Sequence, residues 1–209
     1  MNPRLSIVDH PLVAAKLSVL RAKTTSTEKF RRTLQELSIL LLAEASRHWA
    51  TTAAEVVTPL QTCLGAALAK PVVLVPILRA GLGMVDGMLR MLPDAQVGHL
   101  GLYRDETTLR PVTYYSRVPK HIADAQVLLL DPMLATGHSA CEAVSILKHN
   151  GARTVQFVCI LACPAGIDQV HGRHPEIEII TAAVDPELNQ VGYIVPGLGD
   201  AGDRYFGTS

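Results

Sequence analysis

The chain has 209 residues, of which 48% are hydrophobic and 18% charged, so it reads as a soluble globular protein of single-domain length with a full core. Lys+Arg and Asp+Glu balance at 19 each, which gives no electrostatic footprint for nucleic acid or membrane, and no apolar run approaches the ~18 residues of a membrane span. Asp9 and His10 interrupt the apolar start, which excludes a signal peptide, and the cysteines (Cys63, Cys141, Cys159, Cys163) form no C-x-x-C pair, so reduced thiols and a cytoplasmic location are expected.

Residues 1–23 carry an amphipathic stretch at 17–20 and read as an arm that packs on the body or on a neighbouring subunit. Thr25 and Glu28 stand at capping-box spacing, with Ser26 as an alternative N-cap. Phe30, Leu34, Leu37, Leu41 and Ala45 recur at helical period and predict a long amphipathic helix to about His48, with Lys29, Arg31, Arg32 and Glu36 on its solvated face. Residues 55–60 predict an edge strand ended by Pro59. Residues 71–78 predict a buried strand, then Arg79-Ala80-Gly81-Leu82-Gly83 and a helix over 84–92. The spacing Gly81-x-Gly83-x-x-x-Gly87 is one residue too long for the dinucleotide fingerprint. A lone arginine at a strand's C-terminal edge faces a ligand crevice, with a surface salt bridge as the alternative for Arg79. Residues 97–103 and 108–115 predict two strands of a protruding hairpin, with Asp105 and Glu106 in its turn.

Residues 127–130, Val-Leu-Leu-Leu, predict a strand buried on both faces of a parallel sheet. The run stops at Asp131-Pro132, because proline cannot continue a central strand. After Thr136-Gly137-His138-Ser139, the residues Ala140, Val144, Ile146 and Leu147 recur at helical spacing, and Gly151 marks the helix end. Strand, acid, small-residue loop and helix N-terminus together make an anion site of backbone N–H groups; the P-loop spacing is missing. Residues 154–161 predict a strand, 165–174 a helix and 177–183 a strand. His171 and His174 have no third ligand near them and read as surface histidines. The tail holds Gly197-x-Gly199-x-x-Gly202, a dinucleotide-type match that its context rejects, since only seven residues follow Gly202. What remains is an ordered glycine-rich loop with open N–H and C=O groups. Strands alternating with helices, with the acid and its loop at strand C-termini, predict an α/β doubly wound, mainly parallel sheet and a ligand crevice at its carboxyl edge.

Asp131-Pro132-Met133-Leu134-Ala135-Thr136-Gly137 resembles the 5-phosphoribosyl 1-diphosphate (PRPP) signature of the type I phosphoribosyltransferases. It is closest to the uracil phosphoribosyltransferase form, in which proline follows the acid. Residues 76–84 resemble that family's pyrophosphate loop, His10-Pro11-Leu12 its N-terminal habit, and residues 192–208 its uracil-binding C-terminus. The resemblance implies a phosphoribosyltransferase domain over residues 1–209, with an N-terminal arm (1–23), a flap over the active site (104–117) and a base-binding hood (185–209). It implies transfer of the phosphoribosyl group from PRPP to uracil, giving UMP and diphosphate. PRPP would be held by Arg79, Arg104, Asp131, Pro132, Met133, Leu134, Ala135, Thr136, Gly137, His138, Ser139 and Asp200, with Asp131, Arg104 and Asp200 in catalytic roles. Uracil would be held by Tyr193, Ile194, Gly199, Asp200 and Ala201. Mg²⁺ would arrive with PRPP, because a hard cation prefers phosphate oxygens and water, so no protein metal site is implied. Relatives are also often GTP-activated, and a homodimer or higher homo-oligomer is implied. One departure stands out: His138 replaces the family's usual glycine, and a positive φ there would be strained.

Three rival readings fit the sequence less well. A non-catalytic RNA-binding member of the fold should carry a basic face, against which the balanced charge argues. A dinucleotide oxidoreductase fails on both glycine spacings. A phosphoribosyltransferase for another base is disfavoured by the tail's resemblance.

Overall fold

The computed structural model describes residues 4–104 and 111–208. In chain order its elements are β1 (Leu5–Ile7), α1 (Pro11–Arg21), α2 (Thr27–Ala45), β2 (Thr51–Val57), β3 (Thr62–Leu68), β4 (Val72–Leu78), α3 (Leu82–Leu89), β5 (Gln96–Val97), β6 (His99–Arg104), β7 (Pro111–Arg117), β8 (Gln126–Leu130), β9 (Met133–Leu134), α4 (His138–His149), β10 (Thr154–Ala162), α5 (Pro164–Arg173), β11 (Glu178–Val184), β12 (Glu187–Leu188), β13 (Ile194–Val195) and α6 (Ala201–Phe206). The most apolar runs of the sequence lie at the centre of the main sheet, whose order is β1-β11-β10-β8-β4-β6-β7, with β5 beside β4 and β9 beside β10. Every ladder in it is parallel except the β6–β7 hairpin.

A strand buried on both faces feeds two cores, and β8 does so. Leu128 and Leu130 pack in the layer built by α1, α2 and α3, whereas Val127 and Leu129 pack in the layer of α4 and α5. This is the expected doubly wound arrangement, and it brings the C-terminal ends of β4 and β8 side by side. No helix among the described residues is long and apolar enough to cross a membrane.

The N-terminal arm packs on the body: β1 extends the sheet beside β11, and Val13, Leu17 and Leu20 of α1 are buried with α2. The cap of α2 is Ser26, whose hydroxyl accepts from the Lys29 N–H at 3.4 Å, while the Thr25 hydroxyl donates to Val19 O at 2.7 Å. The edge strand expected at 55–60 is instead half of a separate hairpin. β2 and β3 pair antiparallel with each other around a turn in which Thr58 Oγ1 donates to Gln61 O at 2.7 Å, and both strands are largely exposed.

His174 corrects the reading of surface histidines, because its ring is buried between α4 and the end of α5. Nε2 lies 3.1 Å from Cys141 O and Nδ1 lies 3.1 Å from Lys148 Nζ. A carbonyl only accepts and an ammonium only donates, so the ring is neutral with its proton on Nε2. Burial likewise pushes its pKa down. Ser145 Oγ is 3.2 Å from the same Nε2. That nitrogen already carries the proton, so the contact is not a serine–base pair and α4 gains no nucleophile from it.

Candidate active site

The site begins where the central ladder is interrupted. Leu130 pairs with Val158 and Met133 with Leu161, so β9 resumes the parallel register of β8 and only Asp131 and Pro132 drop out of it. Proline has no N–H to give, and its carbonyl instead accepts from Ile160 (2.9 Å) and Leu161 (3.0 Å). The Asp131 carboxyl therefore projects from a rigid sheet rather than from a loose loop. Among the described residues its one hydrogen-bond partner is the Met133 N–H, a long contact 3.4 Å from Oδ1. Burial pushes its pKa up to about 7, a push that the Met133 N–H only partly opposes. Solvent still reaches the group through the crevice mouth, which tempers that effect.

The loop then turns into α4 through Gly137, at φ 79°. A Cβ at Gly137 would stand 2.7 Å from Gly166 O and 2.9 Å from Gln169 Cβ, so both the backbone and α5 demand glycine there. Among the described residues, the N–H groups of 135–139 find no protein partner. A row of open donors at the start of a 12-residue helix suits a phosphate. His138 is the first residue of α4 and is exposed, so the left-handed position falls one residue earlier and the strain expected at His138 does not arise. If the open N–H groups hold the phosphate, His138→Gly is expected to change PRPP affinity by less than about 1 kcal/mol. A tenfold or greater loss in a PRPP titration would assign a direct contact to the imidazole.

From β4 the chain passes into Arg79-Ala80-Gly81. A Cβ at Gly81 would come within 2.7 Å of Ile77 O, which explains glycine at this tight turn. Arg79 reaches α6, where Nη2 lies 3.1 Å from Asp203 Oδ1, and it stacks 5.7 Å from the Phe206 ring centroid. The salt-bridge alternative is therefore met. The pair is exposed and screened by solvent, so it holds the Arg79 side chain only weakly.

The tail is more structured than a glycine-rich loop. β12 and β13 form a small antiparallel pair, Gly197 and Gly199 take φ 60° and 79°, and α6 follows. Asp200 caps α6: its Oδ1 accepts from the Asp203 N–H at 2.8 Å. Its Oδ2 lies 3.4 Å from the Tyr193 hydroxyl, and the Asp200 charge pushes the Tyr193 phenol pKa up.

These pieces meet in a crevice of about 480 Å³ at the carboxyl edge of the sheet, lined by Ala80, Asp131, Met133, Ala135, Val191, Gly192, Tyr193, Ile194, Gly199, Asp200, Ala201 and Gly202. It gathers Asp131, Met133, Ala135 and all five residues expected at the base. Pro132 and Leu134 are buried, and Thr136 and Ser139 are half-buried beside the crevice rather than in its wall. Arg79 adjoins it through Ala80. The side chain of Arg104 and the flap tip at 105–110 lie outside the described residues. Ala80, Val191, Gly192 and Gly202 were not anticipated as lining; the signal available for them was adjacency to Arg79, Tyr193 and Ala201.

The model of the family described as uracil phosphoribosyltransferase matches residues 7–208. The chain is 54% identical over 203 residues to a uracil phosphoribosyltransferase of Dictyoglomus turgidum, covering 97% of this chain and 98% of that protein. A solved structure of an Aquifex aeolicus protein is similar at TM-score 0.93 and 39% identity, covering 98% of this chain and 99% of that one. An adenine phosphoribosyltransferase of Leishmania donovani, 15% identical at TM-score 0.60 and covering 88% of this chain and 84% of that one, shares the fold. A match along nearly the whole length, with the Asp131 loop and the C-terminal segment facing one crevice, leaves one conclusion: the chain belongs to the uracil phosphoribosyltransferase family.

Proposed function

We propose that the chain transfers the 5-phosphoribosyl group of PRPP to a ring nitrogen of uracil, releasing diphosphate and forming UMP. The observation that carries this reading is the joint placement of Asp131, the start of the phosphate loop and the backbone of residues 199–202 around one crevice. The base nitrogen attacks C1′ as diphosphate departs, through an oxocarbenium-like sugar, so positioning and charge stabilisation do most of the catalysis. The N–H groups of 135–139 hold the 5-phosphate, and Asp131 accepts from the ribose hydroxyls. Arg79 and Arg104 bind the diphosphate, and Asp200 lies by the base and the developing charge. The segment 185–209 serves as the hood that reads uracil, and residues 104–117 as the flap.

Mg²⁺ belongs to the substrate in this reading. A hard cation prefers phosphate oxygens and water to a protein cage, so PRPP itself would carry it. Bound there, it would neutralise charge on the leaving diphosphate. Diphosphate release from Mg²⁺–PRPP across a panel of nucleobases tests the proposal; uracil should stand far above cytosine and hypoxanthine, and equal turnover of the three would refute it.

A homo-oligomer is part of the same proposal. Among the described residues the β2–β3 hairpin has no ladder to the main sheet, and it exposes Val57 (78%), Leu60 (95%) and Leu64 (82%). A lone two-stranded ribbon is marginal in water, and a cluster of bare apolar side chains seeks a partner surface. Sedimentation should give at least twice the chain mass of 22.5 kDa, and Leu64→Asp should shift the distribution towards the monomer. A monomer at micromolar wild-type protein would end this part of the proposal.

A further inference from the structure

The loop over residues 196–199 is walled by open space on both sides. Its front, at Gly199, faces the substrate crevice. Its back faces a second recess of about 450 Å³, lined by Arg21, Lys23, Thr25, Thr27, the loop itself and Arg204. Leu198 anchors it by one buried side chain. Packing through one side chain leaves the flanking peptide planes free to rotate, more so where glycines take positive φ. Something else must set their direction.

Two arginines do. Arg21, the last residue of α1, donates from Nη2 to Asp185 Oδ1 (2.6 Å) and from Nη1 to both Asp185 Oδ2 (2.7 Å) and Gly197 O (2.8 Å). The Gly197 N–H returns to Asp185 Oδ2 at 2.8 Å. Burial pushes the Asp185 carboxyl up, but the Arg21 bonds and the Gly197 N–H outweigh that and hold it below the usual carboxylate range. Arg204 donates from Nη1 to Leu198 O (2.6 Å) and to Leu20 O, and from Nη2 to Ala22 O (2.8 Å), with its guanidinium 4.5 Å from the Phe30 ring centroid. Leu20 and Ala22 close the C-terminus of α1, whose open carbonyls and negative dipole end favour a cation. The consecutive carbonyls of Gly197 and Leu198 are thus both tied to the body of the protein.

We propose that Arg21 and Arg204 are positioning residues for base recognition: by holding the carbonyls of Gly197 and Leu198 on the back of the loop, they aim the backbone of Gly199, Asp200 and Ala201 at the base. The inference rests on the reading of residues 193–201 as the uracil-binding segment. Neither arginine lines the front crevice, so neither touches substrate. A lysine keeps the charge but not the planar fork, and cannot bridge two elements through separate nitrogens.

The test compares Arg204→Lys, Arg204→Gln, Arg21→Lys and Asp185→Asn with wild type, with Gly199→Ala as a check on the underlying reading. Each receives KM and kcat for uracil at saturating Mg²⁺–PRPP, KM for PRPP at saturating uracil, the uracil-to-cytosine ratio of kcat/KM, and a melting curve. Losing hydrogen bonds to a charged group should raise the uracil KM about tenfold or more and lower the uracil-to-cytosine ratio, with the PRPP KM within about twofold. A merely structural role would lower the melting point and the active fraction while leaving both KM values and the ratio in place, and that result overturns the proposal. Should the Arg204 variants fail to fold, Arg21→Lys and Asp185→Asn decide on the same readouts. Gly199→Ala strains the reading segment directly, since its φ is 79° while a Cβ there meets nothing nearer than 3.7 Å. If Gly199→Ala raises the uracil KM and the clamp variants do not, the clamp alone is wrong; if Gly199→Ala leaves it unchanged, the reading of the segment fails and the clamp falls with it.

Discussion

Asp131→Asn is expected to lower kcat/KM for PRPP by a factor equivalent to about 2–4 kcal/mol of transition-state stabilisation, the range for removing one preorganised group. The substitution keeps shape and removes charge. Among the described residues the Asp131 carboxyl has only the long Met133 contact, which leaves acceptor capacity for the ribose hydroxyls of the proposed substrate. Folding should not suffer. Burial raises the folded pKa from 3.8 to about 7, and a group raised in this way stabilises fully below its unfolded value and loses that contribution as pH rises through its folded value. Ionised Asp131 therefore weakens the ligand-free fold above neutrality, and the asparagine variant should melt no lower than wild type in alkaline buffer. Ribose hydroxyls donating to the ionised form would draw off the proton, so PRPP should bind better as pH rises through neutrality. PRPP itself titrates nearby, so the diagnostic is a pH dependence present in wild type and absent in the variant. Near wild-type kcat/KM in Asp131→Asn would remove the residue from the mechanism.

Cytosine should be rejected by roughly two or more orders of magnitude relative to uracil. Uracil offers an acceptor–donor–acceptor edge, which a backbone carbonyl flanked by N–H groups complements. Cytosine lacks the N3–H and carries an amino group at position 4, so at least one pair is reversed. Each unsatisfied buried polar group costs about 1–3 kcal/mol, and two such faults add. Residues 199–202 suit this task because three of the four are glycine or alanine, leaving the backbone bare towards the crevice. A fluorine at C5 leaves the edge intact and should be accepted, whereas the larger methyl of thymine should meet a steric limit. Steady-state kcat/KM for uracil, 5-fluorouracil, thymine, cytosine and hypoxanthine measures all of this. Cytosine turned over like uracil would end the assignment of the tail.

The centre of the fold was legible because its signals are local. Four apolar residues, an acid, a small-residue turn and a helical period ending at Gly151, here at φ 94°, all fall within one short stretch. The position of the left-handed residue was legible only to within one place, since Gly137 and His138 are adjacent and α4 could have begun at either. The β3 strand was not legible: Gly65-Ala66-Ala67 has weak strand propensity and no apolar alternation. The six-residue α6 was hidden by the glycines in and around it, Gly199, Gly202 and Gly207, although Asp200 followed by Asp203 is a capping spacing. His174 looked like a surface residue because its partners lie on another helix. The Arg204 contacts with Leu20 and Ala22 are hardest of all, since they join residues 182 and more apart and end on carbonyls, which carry no side-chain identity to read.

The exposed hairpin has a practical corollary in thiol chemistry. Cys63 lies on β3 in the open, whereas Cys141, Cys159 and Cys163 are buried. Burial pushes the Cys141 thiol up and the Cys159 thiol up to about 12, so neither forms the reactive thiolate at neutral pH. A maleimide dye on native protein should therefore attach at one position, without any cysteine having to be engineered in or out. Because that position sits in the ribbon proposed as the oligomer surface, the dye's rate of attachment and its emission would report directly on whether the ribbon is covered.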